Sequence, residues 1–380
     1  MEIRKNKLIL ITGGHVTPAL ACIEELQSRG FNDIVYVGQK KSLLFDKNSS
    51  AEYRLIKDHL GIPFYNIIAG KLSLFFHWHS IVWLLRLPIG FIQALYLLVK
   101  FKPSIILTFG SHVAVPICFW GGLFRIPIIA HEQTTTIGRS NKFIQKFAKQ
   151  ICVSWESEIA DYQISSNFKD KFILTGNPIR KAILHTKSNN FIFKDKKRKT
   201  IFITGGNQGA HAINEFIFAN IARLTSKFNV IHQTGSNTLF NDFDKAKKIA
   251  EKINCEGVVY IPRDYIFANE MAEAYAESDL LISRAGANTV TELLVLKKKA
   301  ILIPIPTTSG NEQFKNAKLL QELGLARTLS QDELDFESLE KLIEDLLSAN
   351  KLDVDRIEKL SLLHKNAHKL IIDIVEQNLI

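Results

Sequence analysis

Cysteine is scarce in this 380-residue chain, and its four residues (Cys22, Cys118, Cys152, Cys255) lie far apart with no C-x-x-C pair. Zinc ribbons, iron–sulfur clusters and disulfide frameworks need clustered thiols, so none is expected, and the usage suits a reducing cytoplasm. Long apolar runs are also missing. Leu8-Ile9-Leu10-Ile11 stops at Thr12-Gly13-Gly14, short of the roughly 7–15 residues of a signal-peptide core, and reads as a buried first strand. No long Lys/Arg block occurs, although 48 basic against 38 acidic residues leave a net charge of +10. That excess favours an anionic partner (nucleic acid, a phosphorylated small molecule or an acidic membrane face) without choosing among them. Low-complexity sequence is absent, and 46% hydrophobic residues suffice for real cores. The length suits two domains of about 150–200 residues.

What is present begins with an internal echo. Leu8-Ile-Leu-Ile-Thr-Gly-Gly14 is matched by Thr200-Ile-Phe-Ile-Thr-Gly-Gly206, each followed by helix-like sequence (Pro18 to Arg29; Ala210 to Leu224). Further short apolar runs occur at Ile34–Val37, Ile105–Thr108, Ile126–Ala130, Gln150–Val153 and Lys171–Leu174. They recur at Asn229–His232, Gly257–Ile261, Leu280–Ser283 and Ala300–Pro304. Such runs separated by helices indicate parallel strands buried on both faces. The expected fold is α/β, with two Rossmann-like doubly wound domains and a cleft between them. The first domain covers 1–185, joined by a C-terminal helix at about 360–380, and the second covers 186–359. The polar, basic stretch Lys187–Lys199 is the seam.

The glycine turns suggest phosphate binding. Gly205-Gly-Asn-Gln-Gly209 precedes a helix, whose amino terminus presents N–H groups and about half a positive charge. It lacks the G-x-G-x-x-G spacing, and no acidic ribose reader ends the next strand, Asn229-Val-Ile-His-Gln-Thr-Gly235, which argues against a dinucleotide. It also lacks the Lys-Ser/Thr of a P-loop. His15, beside the first glycine loop, is a candidate general base or else a capping or core histidine. In Ser283-Arg-Ala-Gly-Ala-Asn-Thr-Val-Thr-Glu292, Glu292 either closes a capping box with Thr289 or accepts hydrogen bonds from a sugar diol. Arg284 pairs with a phosphate or with a nearby carboxylate. Asp242-Phe-Asp244 and Asp353-Val-Asp355 match a metal-binding D-x-D superficially, but their charged, helix-like contexts read as solvated faces.

The stretch Leu72–Val99 is rich in aromatic and leucine residues but broken by His77, His79, Arg86, Pro88 and Gln93. It is expected either to pack as a core helix or to form an interfacial patch. In the second case Phe75, Trp78, Trp83 and Phe91 enter lipid, and Lys71, Arg86, Lys100 and Lys102 meet anionic headgroups.

Six segments, in order and at similar spacing over nearly the whole chain, resemble glycosyltransferase family 28, the lipid-linked peptidoglycan glycosyltransferases. They are Thr12-Gly-Gly-His-Val-Thr-Pro18, His131-Glu-Gln133, Gly176-Asn-Pro-Ile-Arg180, Gly205-Gly-Asn-Gln-Gly-Ala210, Ser283–Ala287 with Thr289–Glu292, and Glu312-Gln-Phe-Lys-Asn-Ala317. The resemblance implies a GT-B fold and an inverting transfer of N-acetylglucosamine from UDP-N-acetylglucosamine. The acceptor is the C4 hydroxyl of undecaprenyl-diphosphate-N-acetylmuramyl-pentapeptide (lipid I), giving lipid II for the cell wall. It implies His15 as base and a second domain that binds the donor. Arg180, Asn207, Gln208 and Arg284 face the nucleotide, and Ala287, Asn288, Thr289, Val290, Thr291 and Glu292 its phosphate and ribose. Gln313 meets the sugar, backbone near Ala268 the uracil, and Thr12, Gly13 and Gly14 line the same site. His131, Glu132, Gln133 and Thr134 contact the acceptor. No tightly bound cofactor, required metal or nucleic acid is implied, and the enzyme sits peripherally on the cytoplasmic face of the membrane. The chain departs from the family's usual residues at Thr134 (Asn), Asn207 (Ser) and His211 (Arg), and its first glycine loop is shorter. A related UDP-sugar transferase with another lipid-linked acceptor is the alternative. Readings from other classes are a Rossmann oxidoreductase, which lacks its acidic ribose reader, and a nucleic-acid-binding protein, which leaves the ordered glycine loops unexplained.

Overall fold

The computed structural model describes residues 7–41, 50–69, 78–156, 169–184, 190–206, 208–237, 239–306, 311–349 and 351–379. The chain divides into two compact units, Met1–Ile179 with Leu363–Ile380, and Arg180–Leu362. Arg180 to Leu184, assigned to the first domain from sequence, group with the second unit.

In the first unit the strands are β1 (Ile9–Thr12), β2 (Ile34–Gly38), β3 (Phe64–Asn66), β4 (Ile105–Thr108), β5 (Ile128–Glu132), β6 (Gln150–Val153) and β7 (Phe172–Leu174). They form one parallel sheet in the order β3-β2-β1-β4-β5-β6-β7. Continuous apolar strands follow from cover on both faces. Ile9 and Ile11 enter one core and Leu10 the opposite one, and all three are fully buried. Each such side chain contributes roughly 1.5–3 kcal/mol relative to exposure. The last helix, Val354–Asn378, starts in the second unit and ends in the first. There Ile371, Ile372, Val375 and Leu379 join the same core as Ile9. Arg29 ties this helix down through Asp373 (2.6 Å) and Glu376 (3.1 Å) while also pairing with Glu25 (2.9 Å).

The second unit contains β8 (Thr200–Thr204), β9 (Asn229–Gln233), β10 (Tyr260–Arg263), β11 (Leu280–Ser283), β12 (Lys299–Leu302) and β13 (Ala326–Thr328). They too are parallel, in the order β10-β9-β8-β11-β12-β13. Ile201 and Ile203 face the core that includes Ile213, Ile217 and Leu339, whereas Phe202 on the other face meets Tyr275 edge-on at 5.8 Å.

The helix Trp78–Phe101 presents an exposed apolar face distinct from Phe91. Phe91 is half-buried, packs edge-to-face on Phe119 (5.3 Å), and its carbonyl accepts the Trp120 indole N–H (2.9 Å). The exposed side chains are Ile89 (44%), Ile92 (67%), Tyr96 (62%) and Val99 (55%), at the i, i+3, i+7, i+10 spacing of one helical face. Phe75 and the side chains of Trp78 and Trp83 lie outside the described residues. Among the described residues no helix is long and apolar enough to cross a membrane.

Candidate active site

In the first sheet the chain runs outward from β1 to β2 and β3, then restarts beyond β1 at β4. Loops leaving the carboxyl ends of β1 and β4 therefore diverge, and in open α/β sheets such a switch point is where ligands bind. Gly13 makes the local geometry possible. Its φ of +146° and its approach to the Phe109 backbone, where a Cβ would come within 2.9 Å, exclude any side chain. His15 follows at the N-cap of helix Val16–Ser28 but makes no capping hydrogen bond. It is half-buried, and this shielding pushes its pKa below the ordinary value of 6.5, against the weaker upward pull of Glu132. The imidazole is thus neutral at pH 7 and able to accept a proton.

His131 and Glu132 end β5, and both are buried. Burial drives the His131 pKa down to about 4. A neutral ring donating from Nε2 to the Gly176 carbonyl (3.2 Å) leaves Nδ1 a bare acceptor. Glu132 pins the loop that follows it. Its carboxylate accepts from Thr134 N (3.2 Å), Thr134 Oγ1 (2.9 Å), Gly138 N (3.0 Å) and Asn141 Nδ2 (2.8 Å). Thr134 and Glu132 therefore hold each other. Thr12 Oγ1, His131 Nδ1 and Gln133 Oε1 are buried without hydrogen-bond partners among the described residues. An unpaired buried polar atom costs about 1–3 kcal/mol, so this edge is chemically suited to a hydroxyl-rich ligand.

The second sheet has its own switch point, between β8 and β11. These strands are parallel neighbours, so the glycine turn after each leaves from the same edge. After β8, Gly209 has φ +81°, and a Cβ there would come within 2.0 Å of the Thr234 carbonyl oxygen. Gly206 N donates to Thr204 Oγ1 (3.0 Å), Gln208 is exposed, and helix His211–Lys227 begins. After β11, Gly286 caps helix Ala287–Leu296. Among the described residues, space is open beside Gly206 and Gly286, where an added Cβ would touch nothing within 4 Å. The first turn of any helix leaves N–H groups without an intrahelical acceptor, so two such turns at one sheet edge favour an anion.

Arg180 and Glu292, separated by over a hundred residues, come together at 3.5 Å. Glu292 is 5% exposed and also accepts from the Tyr275 hydroxyl at 2.7 Å. It is not part of a capping box, because the helix begins at Ala287 rather than after Thr289. Ala287, Val290 and Thr291 are buried, while Asn288 and Thr289 are half-buried. Gln313 caps the chain end after β12, its Oε1 accepting from Ile305 N (3.0 Å). Among the described residues Arg284 meets no carboxylate. Its Nη groups donate to the carbonyls of Ile303 (3.0 Å) and Pro304 (3.3 Å) and to Gln331 (2.5 Å), which gives it a role in bracing the loop after β12. Asn207 and the Ala268 side chain lie outside the described residues.

Asp242 departs from the expected solvated face. It is 5% exposed, with His211 Nδ1 at 3.0 Å and Asn214 Nδ2 donating to it at 2.8 Å. The cause is the N-terminal turn of helix Asp242–Ile253, which lies against helix His211–Lys227. His211, Glu215 and Asp242 bring three potential ligand atoms within 4.8 Å of one another, but Lys245 pairs with Glu215 at 2.8 Å. Asp244 is exposed and pairs with Lys247 (2.9 Å), and Asp353 is exposed and accepts from Arg356 N (3.2 Å). Sequence reasoning missed Tyr275, Phe109 and the Gly286 cap. Only the glycine, three residues past a strand, left a local trace.

The model for the glycosyltransferase family 28 N-terminal domain matches residues 12–153, and that for the C-terminal domain matches residues 200–373. A Clostridium botulinum (strain Loch Maree / Type A3) protein is 32% identical over 349 residues, 90% of this chain and 91% of the relative. A Legionella pneumophila (strain Paris) protein is 31% identical over 341 residues, 88% and 86%. Both are named UDP-N-acetylglucosamine--N-acetylmuramyl-(pentapeptide) pyrophosphoryl-undecaprenol N-acetylglucosamine transferase. In fold the chain resembles Acinetobacter baumannii MurG (TM-score 0.65, 24% identity, 98% of this chain and 99% of that one). It also resembles UDP-GlcNAc 2-epimerase from Neisseria meningitidis bound to UDP-GlcNAc (TM-score 0.61, 14% identity, 98% and 100%). The two structural likenesses establish the GT-B class of fold. With both domains matched in order and relatives this similar along nine-tenths of its length, the chain belongs to glycosyltransferase family 28.

Proposed function

We infer that this chain is an inverting glycosyltransferase that moves N-acetylglucosamine from UDP-N-acetylglucosamine to the C4 hydroxyl of lipid I, yielding lipid II and UDP. The observation that carries this reading is the second switch point, with two glycine turns and two helix amino termini beside Arg180 and Glu292, in a chain about a third identical to transferases of that name. The helix ends and Arg180 stabilise negative charge growing on the departing diphosphate. Glu292 accepts from the ribose diol, Gln313 orients the sugar, and the unpaired atoms of Thr12, His131 and Gln133 meet acceptor hydroxyls. His15, neutral at pH 7, takes the proton of the C4 hydroxyl as its oxygen bonds to the anomeric carbon and the bond to UDP breaks. One displacement inverts that centre.

The exposed face Ile89, Ile92, Tyr96, Val99, with exposed Lys100 and Lys102 nearby, supports peripheral attachment to an anionic, cytoplasm-facing membrane surface. Incubation with UDP-N-acetylglucosamine and synthetic lipid I should yield lipid II with inverted anomeric configuration. Conversion of UDP-N-acetylglucosamine to its C2 epimer without acceptor would instead assign the chain to 2-epimerase chemistry, the activity named for its fold neighbour. A second reading, transfer to a different lipid-linked sugar, draws on Thr134 in place of asparagine and is tested by the same assay with alternative acceptors.

A further inference from the structure

We infer that Tyr275 is a positioning residue that orients the Glu292 carboxylate so that Glu292 reads the ribose of the bound nucleotide. The inference rests on the donor reading above and adds to it the group that gives Glu292 its aim. Tyr275 lies on helix Ala268–Glu277, Glu292 on helix Ala287–Leu296, and Arg180 just past the last strand of the first unit, so three separate segments converge on one carboxylate. The phenol is 3% exposed, and its hydroxyl donates to Glu292 Oε2 at 2.7 Å, while Arg180 Nη2 stands 3.5 Å from Oε1.

An ionised carboxylate offers about four acceptor positions. Tyr275 takes one, and Arg180 at 3.5 Å stands beside another without bonding it, so acceptor positions remain for the two hydroxyls of a vicinal ribose diol. Without Tyr275 the carboxylate could rotate about its last torsion, a broad and soft coordinate. Arg180, at 3.5 Å, is too long a contact to fix that rotation by itself. Burial and the adjacent Glu292 charge hold the Tyr275 pKa well above its ordinary value, so the hydroxyl stays protonated and acts as a donor. The ring is clamped in turn by Phe202, fully buried and edge-on at 5.8 Å. This clamp lets a weak rotor be held from the sheet rather than from solvent.

The test is calorimetric titration of the full chain with UDP and with 2′-deoxy-UDP, for wild type, Tyr275→Phe and Phe202→Leu. Wild type should prefer UDP. Tyr275→Phe removes one oxygen. It should weaken UDP binding about tenfold, the scale of a lost hydrogen bond to a charged group. It should weaken 2′-deoxy-UDP less, because that ligand keeps only the 3′ hydroxyl, so the preference shrinks. Phe202→Leu should lower the melting temperature yet keep most of the preference, which separates packing from the hydroxyl. An undiminished preference in Tyr275→Phe, or equal weakening of both ligands, overturns the inference. A wild type that binds both nucleotides equally overturns it while sparing the donor reading, and a wild type that binds neither removes both. Should Tyr275→Phe not fold, 3-fluorotyrosine at 275 keeps the ring and strengthens the donor. A preference that then fails to sharpen counts against the proposal.

Discussion

His15 is shielded enough to stay uncharged at pH 7, and its pKa lies below 6.5. If it is the base, the acidic limb of kcat/KM should fall below that value rather than above it. His15→Ala should cut turnover by about 10²–10⁴-fold with UDP affinity intact, and unchanged turnover would remove the residue from the mechanism. A second histidine governs stability. His364 is fully buried, with its pKa pushed down to about 3 by desolvation, and its Nδ1 accepts from Asn177 N at 2.7 Å. The unfolded chain binds a proton near 6.5 that the native ring refuses, so this contribution is complete above pH 6.5 and is lost as pH falls toward 3. His131 and His232 act in the same direction. Urea midpoints measured from pH 7 to 4.5 should therefore drop, and less steeply in His364→Gln, whose side chain can still accept from Asn177. Local sequence identified the histidines beside glycine loops, but it could not show which polar atoms are left unpaired, because that depends on segments such as Gly176 and Asn141 that fold in from elsewhere. For the same reason Asp242 was legible only as a helix-forming acid. Its partners His211 and Asn214 are some thirty residues away.

Among the elements, strands buried on both faces announced themselves as continuous apolar runs ending in Gly or polar residues. The exceptions were β3 (Phe64–Asn66) and β13 (Ala326–Thr328), three-residue edge strands too short and too polar to carry a pattern. The amphipathic helix misled in a different way. Aromatic bulk pointed to Phe91, whereas the phase of the helix turns Ile92, Tyr96 and Val99 outward. In the turn after β8, Gly209→Ala should cost about 1–3 kcal/mol for its positive φ, with a further penalty from the approach to Thr234. Chemical denaturation and UDP calorimetry should show stability and affinity falling together, and full retention of both would mean that the turn is not built as described.

At the level of the whole molecule, each sheet has its own switch point, and under the proposed function one edge would serve an anion and the other hydroxyls and a proton acceptor. The surface face on helix Trp78–Phe101 adds a third demand. Replacing Ile92, Tyr96 and Val99 by Ser should release the protein from anionic vesicles in a flotation assay while sparing activity on a short-chain, water-soluble acceptor. Loss of both would show that these residues serve the fold rather than the surface. Arg29→Ala should loosen the final helix by removing its two cross-chain pairs, seen as faster amide exchange around Ile371–Leu379.

That final helix also sets an order of assembly. Because Ile371, Ile372, Val375 and Leu379 belong to the same core as Ile9, the unit whose synthesis begins first is the one completed last, and the Arg180–Leu362 unit is emitted whole in between. The amino-terminal sheet stays partly uncovered until this final stretch packs on it, so purified chains truncated before residue 371 should bind chaperones more avidly than the full chain.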